Sequence, residues 1–335
     1  MQPARRITAR PEMTSLLRAF VSLLLAAAAL ALAAGTARGQ TYPTKPVRVV
    51  TSAPGGGSDL VSRLMAQALT TSLGQQFIVE NRGGGVVAGE TVAKSPADGY
   101  TLLFYGSALW LLPLMRKDVP YDPMRDFVPI SWVSRQPNVL VVHPSLPAQS
   151  VKALIALAKA RPSALNYSSG GTGSSGHMGA ELFKYMAGVN IARINYKGQG
   201  PATNDVVSGQ VQLTFGTSGS VMPHVKSGRL RALAVTSAEP TALAPGLPTI
   251  AASGVPGYES EQMSGLFAPS KTPAAVLSVL GQDTVRALNR QEIKDRVFQS
   301  GAEIVASSPE KFGAQIRAEV ARLGKLIKAV GIRDE

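Results

Sequence analysis

Two glycine-rich turns hold the residues best able to bind a small charged molecule. Ala53-Pro54-Gly55-Gly56-Gly57-Ser58-Asp59 follows an apolar run at 47–51. Gly170-Gly171-Thr172-Gly173-Ser174-Ser175-Gly176-His177 follows another at 165–168. Each turn precedes an amphipathic stretch. Glycine lets the main chain approach a ligand closely, and the unpaired N–H groups of a helix start attract an anion. One such turn is ordinary helix entry, whereas two in corresponding positions point to a ligand held between two lobes. Ser58 and Asp59 suit the first turn of a helix, as a cap and as a complement to its dipole. Ser174 and Ser175 either cap the second helix or touch ligand, and His177 bonds the loop or the ligand.

Other chemistries are poorly supplied. Gly171-x-Gly173-x-x-Gly176 has the spacing of a dinucleotide fingerprint, but the next strand ends in Asn195-Tyr196-Lys197-Gly198, without the acid that would hold a ribose. The first turn lacks the lysine of a phosphate-binding loop. No pair among His143, His177 and His224 has zinc-ligand spacing, and no serine sits in a Gly-x-Ser-x-Gly elbow. No nucleophile, base and orienting group assemble. An exported α/β enzyme acting on a small acyl or nucleotide substrate is therefore the lesser alternative, and no catalytic residue, metal or cofactor is expected.

The elements that would position these turns alternate between strand and helix. Strands are expected at 47–50, 77–79 and 101–104, with a helix at 59–73 and another near 86–94. After a strand at 139–142 and a helix at 151–160, a second series runs through strands 165–168, 191–196, 211–215 and 230–235. Its helices fall at 177–187, 201–208 and 220–227. Residues 237–260, rich in proline, glycine and serine, read as a loop. A strand at 266–268 and helices at 273–289, 292–300 and 309–329 close the chain. Such alternation predicts an α/β fold with sheets flanked by helices. The closing helices need a sheet to cover, so lobe 1 is expected to comprise 40–142 plus 263–335, and lobe 2 to comprise 143–262. The chain would cross between them near 139–143 and 263–269, which is the layout of a hinge.

Residues 1–39 read as an export signal. Arg5, Arg6, Arg10 and Arg18 precede an uncharged apolar run at 20–34, and Ala37-Arg38-Gly39 offers small residues for cleavage before Gln40. The run is shorter than the roughly 20 residues a membrane span needs. Removing the signal lowers the formal net charge from +13 to about +9, an excess that concentrates anions. The basic residues are scattered and aromatics make up 6%, so nucleic acid is not the expected partner. The chain has no cysteine, which removes disulfides, thiol chemistry and a lipid anchor. A freely soluble exported protein is the reading these features support, and a monomer is expected.

Dispersed motifs then add a resemblance. They include Tyr42-Pro43-x-Lys45-Pro46-Val47-Arg48, the first glycine turn, Val79-Glu80-Asn81-Arg82 and Pro96-Ala97-Asp98-Gly99-Tyr100-Thr101-Leu102-Leu103. Tyr121-Asp122-Pro123-Met124-x-Asp126-Phe127, Gly179-x-Glu181-Leu182-Phe183, Tyr196-Lys197-Gly198, Ser208-Gly209-Gln210-Val211 and the run from Pro223 to Thr236 come next in order. From Tyr42 to Arg333 the chain resembles the tripartite tricarboxylate transporter receptor family, also called Bordetella-uptake-gene (Bug) proteins. The resemblance implies a type II periplasmic binding fold and no catalysis. It also implies a small carboxylate ligand, delivered to membrane transporter subunits or read by a sensor protein. Carried over residue by residue, it implies contacts from Gly55, Gly56, Gly57 and Ser58 on one lobe and Gly173, Ser174 and Ser175 on the other. Gly106, Ser107 and Thr217 stand where members add side-chain contacts. Two departures matter. The glycine loop at 83–89 is short, and Phe215-Gly216-Thr217 lacks the acid members often have there, which favours a plain carboxylate over an amino acid. Tyr105 would line the cleft, and Trp110 is expected in the core or at the rim.

Overall fold

β-branched runs set the first layer. β1 (Val47–Thr51), β2 (Phe77–Asn81) and β3 (Thr101–Gly106) lie parallel, with β1 in the middle. α1 (Gly57–Leu73) and α2 (Val87–Ala93) make the crossovers that parallel neighbours need. The computed structural model describes residue 22, residues 42–52, residue 54, and residues 57–83 and 86–333. The expected signal at 1–39 and the candidate residues Gly55 and Gly56 lie outside the described residues, apart from residue 22. Residues 1–44 form a unit of their own, and the elements below belong to the unit at 45–335.

α3 (Ala108–Met115) succeeds β3, and β4 (Phe127–Val142) is a strand of 16 residues. Beyond it come α4 (Val151–Ala160), β5 (Asn166–Ser169), α5 (Ser175–Ala187), β6 (Ala192–Asn195), α6 (Gln199–Val207), β7 (Leu213–Thr217), α7 (Ser218–Lys226) and β8 (Arg231–Val235). β9 (Glu261–Pro269), α8 (Ala274–Leu288), α9 (Gln291–Gln299), β10 (Glu303–Ile304) and α10 (Pro309–Val330) complete it. Caps fix several helix starts. The hydroxyls of Ser150, Ser174 and Ser308 accept from the N–H groups of Ala153, His177 and Lys311.

The strands form one hydrogen-bonded path, β2-β1-β3-β9-β4-β7-β5-β6, with β10 and β8 also on β4. β4 belongs to two sections of it. Phe127 to Pro137 pair antiparallel with β9, and Asn138 to Val142 pair antiparallel with β7. The change of section therefore falls between Pro137 and Asn138. The chain returns at Glu261, whose partner is Pro137. The change of section and the start of β9 each fall a few residues before 139–143 and 263–269, where the pattern places crossings. β4 itself is much longer than the expected 139–142. Pro129 and Pro137 break the apolar alternation, and the ladder shifts register at Pro129/Ser131 and Trp132/Ser134. Proline removes a ladder donor and bulges absorb the irregularity.

Each section has its own core. Val50, Leu103, Trp110, Phe267 and Phe312 pack under the first. On β4, Leu140 and Val142 join Tyr167, Phe183 and Tyr258, while Val139 and Val141 join Val206, Val221 and Val235 on the opposite face. This period of two, buried on both sides, is what a central strand requires. The sequence pattern does not reveal α3, for a related reason. The helix is apolar nearly all round, with Pro113 inside it and Leu109 to Leu112 buried, so no amphipathic period marks it.

Candidate functional site

The turns that leave the strands meet around one cavity of about 190 Å3. Ser52, Pro54 and Ser58 come from the β1–α1 connection and the first turn of α1, and Tyr105, Gly106, Ser107 and Ala108 from the end of β3 and the start of α3. From the other section come residues 170–176 after β5, Lys197, Gly198 and Gln199 after β6, and Thr217 at the end of β7. Gln262 reaches in from the start of β9. These are the carboxyl ends of the parallel strands, where open α/β sheets place their ligands. Helices α1, α3, α5, α6 and α7 all begin at this wall. Their first N–H groups supply a field that favours an anion.

Of the residues singled out in sequence, Ser58, Gly106, Ser107, Gly173, Ser174, Ser175 and Thr217 line the cavity. Gly57 opens α1 beside them. Asp59 and His177 do not reach the wall. Asp59 is buried, and its carboxylate accepts from Asn81 Nδ2 at 2.8 Å and pairs with Arg63 at 3.1 Å. His177 is buried behind the second turn, where its Nδ1 accepts from the Gly173 N–H at 3.1 Å. Burial pushes the imidazole down to about 3, helped by the charges of Arg193 and Lys184. The ring is therefore a neutral acceptor that shapes the turn. Gly173 has φ +77°, a left-handed conformation that glycine adopts without strain.

The hydroxyls have distinct duties. Ser174 caps α5, one of the two roles open to it from the sequence. Ser58 sits inside the first turn of α1 and does not cap it. Its Oγ accepts from Gln262 Nε2 at 2.8 Å and lies 3.2 Å from Ser264 Oγ. Ser107 Oγ donates to the buried carboxylate of Glu319 at 3.0 Å, and Trp110 Nε1 donates to the same group at 2.6 Å. Trp110 is thus a core residue. Burial raises the Glu319 carboxyl above its ordinary range, against the Trp110 and Ser107 hydrogen bonds. Gly106 lies so close to β9 that a Cβ there would stand 2.7 Å from the Met263 carbonyl oxygen.

Sequence reasoning misses Gln199 and Gln262, and it meets Lys197 only as part of a motif. Lys197 is exposed at the rim. It is the one charged side chain among the described lining residues, and no carboxylate joins it there. Tyr105 lines the cavity as expected, with burial pushing its phenol up to about 12.

The family described as tripartite tricarboxylate transporter family receptor matches residues 61–332. The chain belongs to this family. Its members are solute-binding receptors and not enzymes. Protein BugT of Bordetella pertussis is 35% identical over 328 residues, covering 96% of this chain and 99% of BugT. The solved structure of R. palustris Rpa4515 with adipate is 37% identical with a TM-score of 0.83, covering 87% of this chain and 99% of that one. MatC (Rpa3494) from Rhodopseudomonas palustris with bound malate is 26% identical with a TM-score of 0.80, covering 85% of this chain and 100% of that one. The fold of this receptor is accordingly the two-lobed periplasmic binding type. Among the described residues, no helix is long and apolar enough to cross a membrane.

Proposed function

We propose that this receptor is exported to the periplasm by its N-terminal signal and there captures a small organic carboxylate in the cavity between its two sheet sections. It delivers that ligand to a tripartite tricarboxylate-type transporter or presents it to a sensor protein. One observation carries the reading: five helix starts and Lys197 face a cavity whose described lining residues include no Asp or Glu. A carboxylate gains charge-assisted hydrogen bonds from such a wall. An ammonium group finds no partner of opposite charge, which favours acids without an amino group. The adipate and malate of the two similar structures are acids of this kind.

Ser58, Gly106, Ser107, Gly173, Ser174, Ser175 and Thr217 contact the ligand, together with Gly55, Gly56 and Gly57. Asp59 and His177 brace the two turns from behind. Lys197 meets the outer end of the acid. The crossings at Pro137–Asn138 and before Glu261 act as the hinge.

Isothermal titration calorimetry with adipate, malate, benzoate, glutamate and acetate tests the proposal. Saturable heat is expected for one or more of the plain acids and weaker binding for glutamate. Silence across the panel, or tight binding of glutamate alone, overturns it.

A further inference from the structure

Gln262 bridges the two helix starts that the glycine turns open. It is the second residue of β9, opposite Gln136 of β4. Its Nε2 donates to Ser58 Oγ at 2.8 Å, and its Oε1 accepts from Ser175 Oγ at 3.3 Å. Ser58 belongs to α1, packed on the first sheet section, and Ser175 is the first residue of α5, packed on the second. One carboxamide thus serves hydroxyls from both sides of the cavity.

The hydrogens arrange themselves consistently around it. Ser175 has a single proton, and both Gln262 Oε1 and Asn138 Oδ1 (3.2 Å) lie within its reach. It donates to one at a time. Asn138 is fully buried, and its Nδ2 has no partner among the described residues. Turning that amide lets Nδ2 donate to Ser175 Oγ, which leaves the serine proton for Gln262. With the amide so turned, the chain would run in one direction from Asn138 to Ser175 to Gln262, while the other end of the carboxamide donates to Ser58. Aligned hydrogen bonds of this kind reinforce one another.

We propose that Gln262 is a closure residue, whose carboxamide ties the starts of α1 and α5 together and so favours the closed arrangement of the cleft. Its purpose rests on the receptor reading above, but its action is internal to the protein. Both bonds cannot persist when the two helix starts separate, since no rotamer of one side chain spans a widened gap. Ligand release, which requires that separation, is slowed by the same two bonds.

The test needs no ligand, so its failure and the failure of the receptor reading are distinguishable. The chain has no cysteine. Thr71→Cys and Tyr185→Cys, exposed near the far ends of α1 and α5, accept spin labels in the otherwise intact chain. Pulsed electron resonance is expected to show a dominant short distance in this background. Gln262→Leu should reduce the ratio of short to long distances by on the order of tenfold, the effect of losing two ordinary hydrogen bonds. Gln262→Glu, whose carboxylate accepts from both hydroxyls, should keep the short distance dominant. Ser175→Ala, which removes one bond only, should shift the ratio in the same direction by less, and decides the matter if Gln262→Leu does not fold. An unchanged ratio in Gln262→Leu or Ser175→Ala, equal losses in the Leu and Glu variants, or a background with no short distance each overturns the proposal.

Discussion

The Nδ1 of His177 stands 3.1 Å from the main-chain nitrogen of Gly173 and accepts its hydrogen. The second glycine turn, whose residues 170–176 line the cavity, is thus held from behind by a neutral ring. A protonated imidazole has no acceptor to offer, so this bond and the low pKa belong together.

A pH dependence of stability is the consequence. In the unfolded chain the His177 ring titrates near 6.5, whereas folding pushes it down to about 3. Below about pH 6.5 the unfolded state binds a proton that the folded state refuses. Stability from this group is complete at pH 7 and above, and it falls as the pH drops through the window between 6.5 and 3. Urea unfolding should show wild type losing on the order of 3 kcal/mol between pH 7 and 4 relative to His177→Gln. Parallel pH profiles for the two proteins would contradict the assignment.

Glu319 works with the opposite sign. Its carboxyl is raised by burial, so the unfolded chain releases the proton first. This contribution favours folding at low pH and is lost as the pH rises through the raised folded value. Glu319→Gln keeps an acceptor for Trp110 and Ser107 without the buried charge, and should match or exceed wild-type stability near pH 8. Glu319→Leu strands the Trp110 N–H and should cost about 1–3 kcal/mol. Equilibrium denaturation at pH 5 and 8 compares the three, and a large loss in the Gln variant would show that the charge itself is required.

The second turn can be probed by two glycines of opposite tolerance. Gly173→Ala forces φ +77° on a residue with a Cβ, which would also meet Met115 Cε at 3.3 Å. It should lose roughly 1–2 kcal/mol and much of its carboxylate affinity. Gly171→Ala, whose Cβ would meet nothing within 4 Å, should melt like wild type. Thermal shift with and without adipate separates the two, and equal melting of both variants would be the contrary outcome.

Lys197 should matter through its charge. Lys197→Met is expected to weaken adipate binding by roughly threefold to tenfold at low salt, with the difference shrinking as ionic strength rises. Titration at two salt concentrations measures it. Equal affinity of variant and wild type at both would place Lys197 outside the site.

Much of the fold is legible in the chain because local patterns and tertiary needs agree. The helix at 151–160 and the strand at 230–235 can be read directly from period and turn residues. The failures share one cause. β4 carries Pro129 and Pro137, and α3 carries Pro113 within a wholly apolar run, so neither shows its own period. Only the neighbours with which they pack, β9 for the strand and the Phe267–Phe312 core for the helix, decide those conformations.

The candidate site divides in the same way. Glycine turns at helix starts are local features, so Gly173, Ser174 and Ser58 can be read from their immediate neighbours in the chain. Gln262 and Lys197 have no local signature, because what matters is which side chains stand across the cavity from them. The turn residues, the α/β alternation and the family were determined by the sequence alone. Tertiary structure decided that Asp59 and His177 are bound to Asn81 and Gly173 outside the cavity lining, that Ser107 is bound to Glu319, and that Gln262 joins Ser58 to Ser175. Both of the last two link residues far apart in sequence, and the bond from Ser175 to Gln262 exists only once β4 and β9 have brought the two sheet sections together.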